Sequence, residues 1–264
     1  MLRGKETLYV PYISPRDWKG TLRAFGVIAR FLRTHEFDGV YSTGAAVALA
    51  AFLQPKLIRT PKTYVESVSR TMGPSLTGRI VSFLPSVRLF TQHRGWASRR
   101  WAYMESLLAQ YDTRSPGSRA GAPNNLFVTL GTIAPYRFDA LIDAVVESGC
   151  AGPSTVWQLG ATSRKDLPGK VYTQMAADEF MKAAEDADVV VTHAGVGTVL
   201  QLLELGKSPV VVPREKARSE HVDDHQSQIC DLLSERGLGI VTSARNLSAD
   251  HLKRAMKQRT EVHE

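Results

Sequence analysis

Cysteine is nearly absent from this chain: among 264 residues only Cys150 and Cys230 occur, far apart and without metal-ligand spacing. That scarcity excludes a disulfide framework and a cysteine zinc site, and it fits a reducing cytoplasm. Long apolar runs are missing as well. No stretch reaches the roughly 18 to 20 apolar residues of a membrane span, and Met1-Leu2-Arg3-Gly4-Lys5-Glu6 leads into no signal-peptide core. No repeat of short fixed period is present. What is left is a soluble or peripheral chain, 43% hydrophobic and long enough to bury one large core or two Rossmann-sized ones. Two are expected.

The net charge of +7 is unevenly placed. Residues 1–111 hold 16 Lys and Arg against 6 Asp and Glu, whereas residues 112–264 hold 17 against 20. A basic first half suits an anionic membrane, a pyrophosphate-bearing substrate or nucleic acid. A merely solvated helix face is the plainer account.

The periodicities alternate along the chain. Asp17 to Glu36 predicts an amphipathic helix with Trp18, Leu22, Phe25, Ile28 or Ala29 and Leu32 on one face, started near Pro15. Strands at 39–41, 63–66 and 87–91 follow, with helical runs at 47–53 and 76–83. From 110 to 123 the composition turns to Asp, Arg, Ser, Pro, Gly and Ala without apolar period, which reads as a linker. Strands near 125–130, 155–159, 189–192 and 209–212 then alternate with helices near 137–148, 177–185, 196–205, 221–235 and 248–257. Such alternation implies α/β domains with parallel sheets wound on both faces. The expected boundaries are 1–111 and 125–264, with 112–124 between them.

The most informative stretch is Val190-Val191-Thr192-His193-Ala194-Gly195-Val196-Gly197-Thr198, followed by Glu204, by Pro213-Arg214, and by Glu220-His221-Val222-Asp223-Asp224-His225-Gln226. A β-branched run ends in a histidine, two glycines let backbone approach a ligand, and a helix opens behind them. A helix N-terminus offers unpaired N–H groups and partial positive charge, so a diphosphate fits there without a metal. The strand Pro209 to Val212 leads into a polar loop whose Asp224, His225 and Gln226 can bond sugar hydroxyls. Both loops would lie at the carboxyl ends of parallel strands. A nicotinamide dinucleotide fingerprint needs a third glycine, where Leu200 stands, and an acidic residue after the next strand, where Pro213-Arg214 stands. A tight turn with no ligand is the plain alternative.

These residues resemble the carboxy-terminal, donor-binding half of inverting GT-B glycosyltransferases. The resemblance is to the soluble subunit of the two-part enzyme that adds the second N-acetylglucosamine to dolichol-linked sugar, and to bacterial exopolysaccharide homologues. The long run from Pro213-Arg214 to His225-Gln226 is its specific part. It implies a nucleotide-sugar site made of Gly131 and Thr132 as a second phosphate-facing turn, Met175, His193, Gly195, Val196, Gly197, Thr198, Gln201, Glu204, Pro213, Arg214, Glu220, His221, Asp224, His225 and Gln226. Gln201 stands where several relatives carry a ribose-binding Glu. His193 is either a diphosphate contact or a hydrogen-bonded strand-end residue, and Glu204 either reaches ribose or pairs with Lys207. Asp223 and Asp224 beside His221 and His225 invite a metal, but the resemblance implies a transferase class that has no Asp-x-Asp motif to hold one and in which helix-dipole donors replace a metal, so none is expected.

Ser42-Thr43-Gly44, Tyr64-Val65-Glu66-Ser67-Val68-Ser69-Arg70, Leu76-Thr77-Gly78 and Thr91-Gln92 resemble the membrane-recruiting, acceptor-binding partner of the same two-part transferase, here joined to the donor half. Members of that partner family begin with a strand and a glycine-rich, His-bearing loop. Neither precedes Tyr9-Val10-Pro11-Tyr12, so the first domain is expected to be incomplete. Arg70, Arg94, Trp96, Arg99 and Arg100 are the expected acceptor and membrane side, with Trp96 and Trp101 as core packing the alternative. Inverting transfer also needs a general base. Glu66 is the candidate, its alternative a cap or an ion pair with Arg70; His93 is the lesser one.

The expectation is an α/β, GT-B-like chain of two Rossmann-like domains, the first incomplete, acting as an inverting, metal-independent glycosyltransferase without cofactor. Its partners would be a UDP-sugar donor, a lipid-linked saccharide acceptor, an anionic membrane surface and a partner protein supplying the missing N-terminal segment, not nucleic acid. It would work in the cytoplasm, peripheral at the inner face of the membrane. Two further functions stay open: a non-catalytic nucleotide-sugar-binding subunit and a nucleotide-sugar epimerase.

Overall fold

The computed structural model describes residues 6–11, 13–14, 17–115, 121–131, 136–214 and 225–263. The chain divides into two units, Met1–Leu107 and Leu108–Glu264.

The first unit contains α1 (Trp18–Phe31), β1 (Val40–Ser42), α2 (Val47–Phe52), β2 (Lys62–Val65), α3 (Leu76–Val81), β3 (Val87–Thr91) and β4 (Trp101–Tyr103). Asp17 starts α1 by accepting the Gly20 amide proton at 2.8 Å, which satisfies one of the donors that every helix N-terminus leaves open. The four strands form one parallel sheet in the order β1-β2-β3-β4. Its core gathers Ala48, Leu49, Phe52, Tyr64, Val81, Val87, Leu89 and Trp101. The expected buried face of α1 needs correction at its first two residues, Trp18 and Leu22. The helix lies against α2 and buries Gly20 and Ala24, whereas Trp18 and Leu22 are 59% and 71% exposed. Of the expected face, Trp18 and Leu22 point outward, Phe25 and Ile28 are half-buried and Leu32 is buried. Pro15 lies outside the described residues.

The second unit contains β5 (Tyr111–Arg114), β6 (Leu126–Thr129), α4 (Asp139–Glu147), β7 (Val156–Gln158), β8 (Lys170–Tyr172), α5 (Ala177–Asp186), β9 (Val189–His193), α6 (Val196–Glu204), β10 (Val210–Val212), α7 (His225–Arg236), β11 (Ile240–Val241), α8 (Ala249–Met256) and β12 (Arg259–Val262). Six strands make a parallel sheet in the order β11-β10-β9-β6-β7-β8. Successive side chains point to opposite faces, and each face has its own core. Leu126, Val128, Val189, Val191, Val210 and Val212 pack with Leu141, Val145, Leu252 and Ala255 of α4 and α8. Phe127 and Val190 pack with Ala184 and Leu202 of α5 and α6. The sheet is therefore wound on both faces, as the alternating pattern predicts.

Residues 112–114, at the start of the expected linker, belong to a strand. The division falls after Leu107, and Tyr111–Arg114 pairs antiparallel with Arg259–Val262 as a separate two-stranded sheet. Backbone donors that a free linker would leave to water are used by the last strand of the chain.

Candidate functional site

The chain adds β7 and β8 on one side of β6, then β9, β10 and β11 on the other. The strand order thus reverses between β6 and β9, the place where open α/β sheets receive ligands beyond the carboxyl ends of their strands. Two turns flank that point. Gly131 lies just past β6, and His193-Ala194-Gly195 closes β9 and opens α6. Gly195 is the N-cap of α6 and gives its first turn no side-chain cap. The amide donors of Val196, Gly197 and Thr198 belong to that turn, where the helix field favours an anion.

The His193 imidazole joins the two turns. A Cβ on Gly131 would come within 2.9 Å of its Nε2, and one on Gly195 within 2.5 Å. Both glycines are needed because the ring lies against their Cα atoms. Arg214, two residues past β10, is 3% exposed. Its guanidinium lies 5.5 Å from the Phe138 ring centroid, and Nη2 donates to the Gly131 carbonyl at 3.4 Å. The Arg214 amide donates to Gln226 Oε1 at 2.9 Å. Structure therefore brings Gly131, His193, Gly195, Arg214 and Gln226 together, with Pro213 beside them. The carbonyl end of Gln226 is thus already taken by backbone.

Glu204 is not part of this group. It is the last residue of α6, nine residues beyond Gly195, or about 13 Å along a helix. Its charge acts instead on Tyr111 of β5, whose phenol is raised by burial, with a smaller contribution from Glu204. Helix-length arithmetic alone separates Glu204 from the phosphate turn. Gln201 is exposed on the same side of α6 as Gly197. Met175, in the loop between β8 and α5, donates its amide to Gln158 Oε1 at 3.1 Å. His225 opens α7. Thr132, Glu220, His221, Asp223 and Asp224 lie outside the described residues. Among the described residues no group of three or more His, Cys, Asp or Glu is arranged to hold a metal ion. Phe138, beside the Arg214 guanidinium, and Gln158, which holds the Met175 amide, adjoin these candidate residues and carry no local sequence signal.

In the first unit, Glu66 is 2% exposed. One carboxylate oxygen accepts from Ser67 N at 3.1 Å and Tyr64 OH at 3.4 Å, the other from Ser75 N at 2.8 Å and Ser75 Oγ at 3.0 Å. A carboxylate so engaged ties the end of β2 to the start of α3. The geometry thus follows the capping alternative, not the catalytic one. His93 is held by the Val68 carbonyl at 2.6 Å.

Part of the basic cluster at 94–101 is also spent within the unit. Arg100 donates to the carbonyls of Ser82, Leu84 and Val87, closing the turn between α3 and β3. Trp96 donates to the Arg70 carbonyl at 2.8 Å and stacks edge-on against Trp101. Arg94 lies over the Tyr103 ring at 4.3 Å; it and Arg99 are exposed. Trp96 and Arg100 are therefore packing residues and not headgroup anchors.

Residues 163–261 match the Glycosyltransferase family 28 C-terminal domain. The chain is 24% identical over 228 residues to the UDP-N-acetylglucosamine--N-acetylmuramyl-(pentapeptide) pyrophosphoryl-undecaprenol N-acetylglucosamine transferase of Cupriavidus pinatubonensis, covering 83% of this chain and 61% of that protein. It thus spans about three fifths of that relative. Among solved structures it is similar to Acinetobacter baumannii MurG, with a TM-score of 0.53 at 18% identity, over 96% of this chain and 75% of that one. Methanocaldococcus jannaschii UDP-GlcNAc 2-epimerase, in complex with UDP-GlcNAc and UDP, gives a TM-score of 0.53 at 12% identity, over 92% and 75%. The fold is GT-B-like α/β, and a transferase and an epimerase share it.

Proposed function

We propose that this chain is a glycosyltransferase that moves N-acetylglucosamine from a UDP donor to a polyprenyl-pyrophosphoryl saccharide, with inversion and without a metal. The observation that carries the reading is the uncapped N-terminus of α6 at the strand-order reversal, with His193 seated on Gly131 and Gly195. A departing diphosphate needs donors already aimed at its developing charge, and that turn supplies them with Arg214 close by. The matched family 28 domain and the relatives' printed activity support transfer over epimerisation. The acceptor hydroxyl would attack C1 of the sugar and give its proton to a base other than Glu66, whose carboxylate is committed to Ser67 and Ser75.

The first unit would carry the acceptor from the inner face of the membrane. No helix among the described residues is long and apolar enough to cross a bilayer, so attachment would be peripheral. The exposed Trp18 and Leu22, with Lys19, Arg23 and Arg30 exposed on the same helix, form a surface suited to headgroups.

A transfer assay tests the reading: UDP-N-acetylglucosamine and an undecaprenyl-pyrophosphoryl saccharide in detergent, with the anomeric configuration of the product read by nuclear magnetic resonance. Inverted product is the expected result. Donor binding without transfer would favour a binding subunit that needs a partner chain, and conversion of the free nucleotide sugar to its epimer would overturn the proposal.

A further inference from the structure

Apart from Lys170 and His193, the polar residues of the second sheet lie along one line at its crevice end. Thr192, Thr129, Gln158 and Tyr172 are register partners on β9, β6, β7 and β8, and the first three are 0%, 1% and 7% exposed. Thr192 Oγ1 donates to the Thr129 carbonyl at 3.2 Å. Gln158 Nε2 donates to Thr129 Oγ1 at 3.0 Å, and its Oε1 accepts from the Met175 amide. A buried primary amide costs stability unless both its ends are bonded, and an apolar residue would fill the same space. Gln158 is thus an expensive choice for a core position. What it does there is span two segments: the end of β6, which runs into the Gly131 turn, and the loop before α5, which carries Met175. With one donor end and one acceptor end on a planar group, it fixes the separation of the two to the length of one side chain.

If the diphosphate lies at the α6 N-terminus and the sugar toward Gln226 on the β10 side, the nucleoside extends toward β7 and β8, where the Met175 loop forms the wall. We infer that Gln158 is a positioning residue for the nucleoside: it sets the Met175 wall at a fixed distance from the diphosphate turn. The inference rests on the donor reading above.

The test is calorimetric titration of the full chain with two probes, UDP and inorganic pyrophosphate, which reaches the α6 turn but not the wall. Gln158→Leu removes both bonds and should weaken UDP about tenfold while pyrophosphate is unchanged. Gln158→Glu keeps an acceptor for the Met175 amide and lets the Thr129 hydroxyl donate, so it should restore most of the UDP affinity. Thr129→Val, which breaks the same line from its other end, carries the same expectation if Gln158→Leu does not fold. Unchanged UDP affinity in Gln158→Leu and Thr129→Val overturns the inference. So does an equal loss for both probes, which would mean general damage to the sheet. Binding of neither probe by the unaltered chain would instead remove the donor reading and the inference together.

Discussion

His193 and Gly195 are held so close that a Cβ on the glycine would lie 2.5 Å from the imidazole Nε2. Gly195 has φ −81° and ψ 116°, a conformation open to any L-residue. Glycine is required there by the ring and not by the backbone. Gly195→Ala should therefore displace His193 and weaken UDP binding by about tenfold or more, in line with a lost charge-assisted contact. In a His193→Ala background the same change should cost little, because the double-mutant cycle removes the colliding partner. Equal losses in both backgrounds would mean that the alanine crowds the ligand directly.

Glu66 accepts four hydrogen bonds at the junction of β2 and α3. Replacing it by Gln turns one acceptor end into a donor facing Ser75 or Ser67. The expected outcome is a loss of roughly 1–3 kcal/mol in the stability of the first unit, read by denaturant unfolding, with UDP affinity intact. A variant of native stability that has lost transfer would return Glu66 to catalysis.

Tyr64 gives the first unit an alkaline limit. Burial, followed by the Glu66 carboxylate, pushes its phenol up to about 12 from 10.0. The folded state holds this proton more tightly than the unfolded chain does, so the contribution is fully present below pH 10. It is lost as pH rises through 12, on the order of 2 kcal/mol in all. Tyr64→Phe should flatten the fall of stability across that window. An unchanged slope would assign the alkaline loss to other groups.

Trp18 and Leu22 are the apolar residues of α1 that face outward. Changing both to Ser should lower co-sedimentation with anionic liposomes several-fold and leave the unfolding midpoint nearly unaltered, since exposed substitutions shift stability by about 0.5 kcal/mol or less. Binding by the unaltered chain should fall with salt as screening shortens the field. Retained sedimentation in the double variant would move the docking face elsewhere.

Much of this architecture is legible in the sequence because its signals are local. Val189–His193 and Val210–Val212 are β-branched runs, and the glycines after His193 announce the turn. The helices that cover the sheet keep their period. Other features depend on distant partners. Tyr111-Asp112-Thr113-Arg114 looks like loop until Arg259–Val262 pairs with it, and nothing near Gln158 reveals that its amide will reach both Thr129 and Met175. Trp18 and Leu22 fit a buried stripe by period, yet they are exposed, while Gly20, Ala24 and Leu32 are the buried residues. Periodicity locates a helix face without saying which neighbour it meets.

Titration of the full chain with UDP in the presence of a strong chelator, followed by calorimetry, tests the central claim most directly. The account predicts saturable binding of one UDP per chain, weakened by Gly195→Ala and unaffected when magnesium or manganese replaces the chelator. No heat with UDP, or heat that appears only with the divalent ion, would contradict a diphosphate site built from His193, Gly195 and the first turn of α6.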